Sequence, residues 1–202
     1  MSKGTEISAV NHRKTGGVRL FGNLRVMAAA ALLCALSIIL GKYLAFNITA
    51  SIRFSLENLP ILMAGLFFGP VVGGVVGVAA DLIGCMLVGY TPIPLVTVGG
   101  ALVGIVAGAT AWYLYPRDLR LLGSPRVFVP VMLAHAVGSM LVKSIGLAHY
   151  TGIPFPVTAG WRVLTYAAIG LIEGIIILSL ARNKLFSGEL SKLINKKGGR
   201  RA

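Results

Sequence analysis

The stretch LPILMAGLFFGPVVGGVVGVAADLIGCMLVGYTPIPLVTVGGALVGIVAGATAWYLYP, residues 59–116, contains one charged side chain, Asp81. A bilayer core takes about 20 apolar residues per helix, so this run is too long for a single passage and must be cut where a helix cannot continue. Two cuts present themselves. Gly69-Pro70 joins a permissive residue to one that lacks an amide donor, and Gly89-Tyr90-Thr91-Pro92-Ile93-Pro94 does the same more strongly. They predict a short helix over 59–68, too short to span alone, and longer ones over 70–88 and 94–115.

Working outward, 26–44 reads as a first helix whose outer end carries Lys42, a side chain able to snorkel to the headgroups. Residues 117–126 form a polar loop. Residues 127–148 read as a fifth helix despite Lys143, and 161–180 as a sixth despite Arg162 and Glu173. The composition agrees: 56% of the 202 residues are hydrophobic and 12% charged, with a mean hydropathy of +0.84, against about 25% charged in soluble domains. The sequence therefore predicts an all-α membrane protein of six transmembrane helices, multi-pass in the cell membrane. Residues 1–24 form a cytoplasmic N-terminal tail, 25–183 the six-helix domain, and 184–202 a basic cytoplasmic C-terminal tail.

Orientation follows from charge. An even number of helices puts both termini on one side, and the rule that basic residues stay inside selects the side. All but four of the 19 basic residues fall in the two tails, at the helix ends that adjoin them (Arg25 and Arg182) or in the loop holding Arg117, Arg120 and Arg126; the exceptions are Lys42, Arg53, Lys143 and Arg162. Both termini are expected in the cytoplasm. The same distribution, at helix ends rather than along one face, argues against nucleic acid as a partner despite a pI near 10.4. The basic N-terminal segment resembles a signal-peptide n-region, but no small-residue cleavage site follows, so the first helix is expected to be retained. Cys34 and Cys85 lie inside apolar runs with neither disulfide nor metal-ligand spacing.

Small residues recur at four-residue intervals: Gly69, Gly73 and Gly77, then Gly100, Gly104 and Gly108, then Gly170 and Gly174. Such stripes let helix backbones approach closely and predict packing within one bundle. Ala28, Ala31 and Ala35 instead make a smooth patch on the first helix that suits docking against another membrane subunit.

Ionisable and polar groups at membrane depth are costly and point to function. The outer loops and helix ends gather Lys42, Asn47, Arg53, Glu57, Asn58, Tyr90, Thr91, Trp161 and Arg162, with Lys143 and Tyr166 just inside. Cations, hydrogen-bonding groups and aromatic rings around an apolar cup suit a planar heteroaromatic ligand bearing carboxylates. Arg162 is the leading candidate for a bidentate carboxylate contact. Lys143 has two readings, a ligand contact or an ion pair with Glu173 or Asp81. His135 is read as a packing residue.

No G-x-x-x-x-G-K-[ST] phosphate loop, H-E-x-x-H or G-x-S-x-G motif occurs, so neither ATP hydrolysis by that route nor a motif-borne enzymatic reaction is expected, and no cofactor is implied. Paired halves with matching interrupted helices are also missing, so a concentrating transporter would need energy from a partner. Two rivals stand beside transport: a membrane scaffold whose glycine stripes bind other helices, and an intramembrane enzyme using Asp81 and Glu173.

The segments Ile52-Arg53-Phe54-Ser55-Leu56-Glu57-Asn58-Leu59-Pro60, Ala64-Gly65-Leu66-Phe67-Phe68-Gly69-Pro70-Val71-Val72-Gly73 and Ala80-Asp81-Leu82-Ile83-Gly84 resemble the folate family of substrate-binding S components of energy-coupling factor (ECF) transporters. That resemblance implies an S-component bundle that captures a vitamin outside and topples while docked on a transmembrane coupling protein driven by two ATPase subunits. It places docking on an A-x-x-x-A patch, matched by Ala31-Leu32-Leu33-Cys34-Ala35, and an arginine entering the last helix, matched by Arg162. Tyr90, Trp161 and Tyr166 would then stack on or border a pterin. Glu57-Asn58 is more polar than the aromatic or glycine-containing version of folate members, and a glutamate there disfavours a carboxylate unless Lys42 or Arg53 neutralises it. Pantothenate and riboflavin are the next candidate vitamins.

Overall fold

The computed structural model describes residues 24–47, 53–114 and 124–183; both expected tails and most of the basic loop between the fourth and fifth helices lie outside them. Helix α1 runs over Leu24–Ile38 and widens into a π-helical turn at Ile39–Tyr43. Two strands of two residues each, β1 (Phe46–Asn47) and β2 (Arg53–Phe54), pair antiparallel with Phe46 opposite Phe54 and Asn47 opposite Arg53. Then come α2 (Asn58–Phe68), α3 (Pro70–Val88) and α4 (Pro94–Leu114). Two long helices, α5 (Pro125–Thr151) and α6 (Phe155–Arg182), complete the described chain.

Five of the six helices, α1 and α3 to α6, are long and apolar enough to cross a membrane. Helix α2 is not. Its 11 residues rise only about 16 Å at 1.5 Å each, half of a bilayer core about 30 Å thick. All of them are buried, as an all-round apolar helix requires, so α2 is the centre of the core and the other helices shield it from lipid.

The cuts in the apolar run fall where its chemistry places them. Gly69 adopts φ 97° and its amide bonds to Gly65 O at 2.9 Å, closing α2, while Pro70 opens α3 where no amide is needed. Gly89, at φ 74°, ends α3 in a Schellman arrangement: Tyr90 N donates to Cys85 O at 2.9 Å and Gly89 N to Met86 O at 3.4 Å.

The last helix differs from expectation. It begins at Phe155 rather than at 161, because Pro156 sits in its first turn, where a missing amide costs nothing. Trp161 and Arg162 are therefore well inside the helix, not at its mouth.

Helix α4 is packed through glycine. A Cβ at Gly104 would collide with the carbonyl of Gly73, one at Gly77 with Gly100 O, and one at Gly65 with Gly104 O. Gly138 of α5 closes the other side of α4, where a Cβ would stand 2.7 Å from Gly99 O. Gly170 and Gly174 instead face the side chains of Met132, His135 and Phe128 of α5. These stripes are internal. The alanine patch is not: Ala28, Ala31 and Ala35 are all exposed, on the least buried of the five long helices.

Candidate functional site

Five elements converge on a small polar cavity. Ser37, Ile38, Gly41 and Lys42 line it from α1, Glu57 and Ile61 from the start of α2, Gly77, Ala80 and Asp81 from α3, Gly100 from α4 and Lys143 from α5. Its volume, about 20 Å³, admits roughly one water.

Two π-helical segments flank it. The first, Ile39–Tyr43, carries Gly41 and Lys42; the second, His135–Val142 within α5, ends immediately before Lys143. Wide turns of this kind recur at functional sites. Here the second one lines up His135, Ser139 and Lys143 along one stripe of α5.

Lys143 is 4% exposed, yet its ammonium is well supplied with partners. Its Nζ donates to Glu57 Oε1 at 3.1 Å and to Asn58 Oδ1 at 3.2 Å. The lysine thus pairs with neither Glu173 nor Asp81, the pairing that the sequence offered as its second reading, and its cation meets Glu57 instead. Helical phase explains the miss: the pairing joins residues 86 apart across two helices whose relative rotation depends on the wide turn.

The network continues inward. Asn58 Nδ2 donates to Ser139 Oγ at 3.3 Å, Ser139 Oγ lies 3.3 Å from His135 Nδ1, and His135 Nε2 lies 2.6 Å from Glu173 Oε2. His135 and Glu173 are fully buried, so His135 is more than a packing residue. It links the outer polar cluster to a carboxylate in the core of α6.

Asp81 accepts a 2.5 Å bond from the Thr97 hydroxyl at the cavity wall. Asp81 and Glu173 thus belong to different clusters. Lys42 Nζ lies 3.8 Å from Cys85 Sγ and 5.9 Å from the centre of the Tyr90 ring, so Tyr90 is exposed but sits beside the cavity's second cation.

Arg162 is a layer behind. Its Nε donates to Ser139 O at 3.1 Å, its Nη2 to the Tyr166 hydroxyl at 3.4 Å, and its guanidinium lies 5.1 Å from the Tyr166 ring centre. It reaches the network through Ser139 and does not line the cavity. Trp161 and Thr91 are exposed. The Asn47 and Arg53 side chains lie outside the described part, although their backbones pair in the hairpin. The structure therefore joins Lys42, Glu57, Asn58, Tyr90 and Lys143, with Arg162 and Tyr166 attached from behind. It adds Ser37, Gly41, Asp81 and Ser139, of which only Asp81, the lone charge in residues 59–116, carried a signal in the sequence.

The described chain is thus a membrane bundle with a half-length buried helix, a buried polar cluster and an exposed alanine face. Residues 25–182 match the family described as ECF transporter, substrate-specific component, and the chain belongs to that family. It is 25% identical over 159 residues, 76% of this chain and 86% of the relative, to a protein of Clostridium novyi (strain NT) named folate transporter FolT. Among solved structures it resembles FolT bound with folic acid, with a TM-score of 0.61 and 21% identity over 81% of this chain and 97% of that one. The S component of a bacterial ECF transporter gives a TM-score of 0.51 and 20% identity, covering 85% and 98% respectively.

Proposed function

We propose that this protein captures folate or a close derivative at the outer face of the membrane for import by an ECF transporter. The observation that carries this reading is the buried ammonium of Lys143, held between Glu57 and Asn58 at a cavity that also presents Lys42 and Asp81. Such a cluster inside a membrane bundle suits a polar heterocycle that replaces the internal partners one for one. A ligand pocket for a vitamin needs at least about 300 Å³, so binding requires the outer ends of α1 and α3 to part, with Tyr90 and Trp161 closing over the ring. The folate-related name of the Clostridium novyi relative supports this vitamin over pantothenate and riboflavin. Both tails, 1–24 and 184–202, are assigned to the cytoplasm on their basic residues.

Titration calorimetry on detergent-purified protein with folate, 5-formyl-tetrahydrofolate, riboflavin, pantothenate and thiamin tests the reading. Saturable one-to-one folate binding is expected; binding of another vitamin instead would replace the substrate and keep the family.

Arg162 takes the acidic tail of the vitamin. Arg162→Ala should weaken folate roughly 10- to 100-fold, the worth of one charge-assisted hydrogen bond, and leave pteroate, which lacks the glutamyl group, much less affected. Equal losses for the two ligands would remove Arg162 from that role.

The exposed Ala28, Ala31 and Ala35 face is the docking surface for the transmembrane coupling protein, which is energised by two ATPase subunits. A bulky side chain there blocks close helix approach. Ala31→Phe should leave folate affinity unchanged in detergent and abolish uptake in cells that contain the coupling module. Normal uptake would place the docking surface elsewhere.

A further inference from the structure

We infer that the Glu57 carboxylate and the Lys143 ammonium together read the 2-amino-4-oxopyrimidine edge of the ligand, making Glu57 a specificity-determining residue. This rests on the folate reading above. The edge of such a ring presents, in order, an amino donor, a ring N–H donor and a carbonyl acceptor. Its complement is two acceptors followed by a donor.

Glu57 and Lys143 supply that sequence on one wall of the cavity. Glu57 Oε1 is 3.1 Å from Lys143 Nζ, so the carboxylate and the ammonium lie side by side. Glu57 Oε2 lies beside Gly41, where an added Cβ would stand 3.0 Å from it and 2.8 Å from Glu57 Cβ. The bare glycine is what lets the carboxylate lie flat against α1. Both Gly41 and Lys143 line the same cavity. The order across the wall is therefore Oε2, Oε1, Nζ: acceptor, acceptor, donor.

The other carboxylate does not offer this. Asp81 receives the Thr97 hydroxyl, and among the described residues no cation lies within ion-pair distance of it. A carboxylate beside the binding site is a poor neighbour for an acid, but it is the natural partner of two parallel N–H donors. The polar Glu57-Asn58 pair thus recognises the ring rather than opposing the vitamin's acid groups. Riboflavin and pantothenate lack the donor–donor–acceptor edge, so the same pair excludes them.

The test compares folate with 2-desaminofolate, which lacks the first donor, on the full chain and on Glu57→Gln. On the unsubstituted protein, 2-desaminofolate should bind about 10- to 100-fold more weakly than folate. Glu57→Gln should weaken folate by a similar factor and barely change 2-desaminofolate. Folate binding that is unchanged or strengthened by Glu57→Gln would overturn the proposal while leaving the folate reading in place, since Glu57 would then be only a counter-charge to Lys143. If the unsubstituted protein binds no pterin, the folate reading fails and this proposal fails with it. Should Glu57→Gln not fold, Gly41→Ala and the two-ligand comparison on the native chain decide: equal affinities for folate and 2-desaminofolate overturn the proposal.

Discussion

Lys143→Met is expected to abolish measurable folate binding and to lower the melting temperature of the purified protein by roughly 6–12 °C. Two losses combine. The ligand loses the buried ammonium at the cavity, and the protein loses a partner of Glu57 and Asn58. Breaking a buried ion pair from one side costs about 3–5 kcal/mol. The Glu57 side chain retains 26% exposure, so part of its charge is hydrated and the lower end applies; about 3 kcal/mol in a chain of this size moves the midpoint by 2–4 °C per kcal/mol.

The double variant Lys143→Met with Glu57→Gln separates the two losses. Removing both charges should recover most of the stability, because no uncompensated ion is left, and none of the binding. Recovery of binding in the double variant would show that Lys143 only neutralises Glu57. An unchanged melting temperature in the single variant would show that the pair is hydrated and structurally idle.

The second large effect concerns the fold. Gly104→Leu should yield no folded protein, and Gly104→Ala should be strongly destabilised. The obstacle is backbone: the space a Cβ would occupy already holds the carbonyl of Gly73, while Gly65 presses on Gly104 from α2. A flexible side chain could swing aside, but two helix backbones must separate together, and overpacking that shifts backbone costs about 1–3 kcal/mol or more. Three helices share this point, so the loss spreads through α2, α3 and α4.

Gly160→Ala is the control. A Cβ at Gly160 meets nothing within 4 Å, and removing a glycine from a helix interior stabilises by about 0.4–1 kcal/mol. Size-exclusion profiles and thermal melts of the three variants check the contrast. A well-folded Gly104→Leu would mean that the helices are farther apart than described.

The sequence made the breaks legible because Gly69-Pro70 and the Gly89 to Pro94 run act locally. Membrane burial was equally legible, since one charge in residues 59–116 leaves few alternatives. The partner of Lys143 was not. An ion pair between residues 86 apart depends on the rotation of α5, and that rotation depends on a π-helical segment with no residue type that announces it. Arg162 falls at a helix mouth when the last helix is started at Trp161; the helix starts at Phe155 instead, with Pro156 as a permitted first-turn residue. Its ties to Ser139 O and Tyr166 follow from the longer helix. His135 looked like a lone apolar-helix histidine because its partner, Glu173, is 38 residues away on α6.

The wide segment at His135–Val142 also bears on how residues may be equated between this chain and its relatives. A π turn is one residue more than an α turn would use to return to the same face. A relative whose fifth helix is regular would therefore stay in step with this chain over Phe128–Ala134 and fall out of step by one position over Lys143–Thr151. Near 20% identity, an ungapped match through the helix would set Lys143 against a neighbour about 100° away around the axis. The ligand contacts of α5 are thus comparable between proteins only after a single-residue gap is admitted in the middle of an unbroken helix.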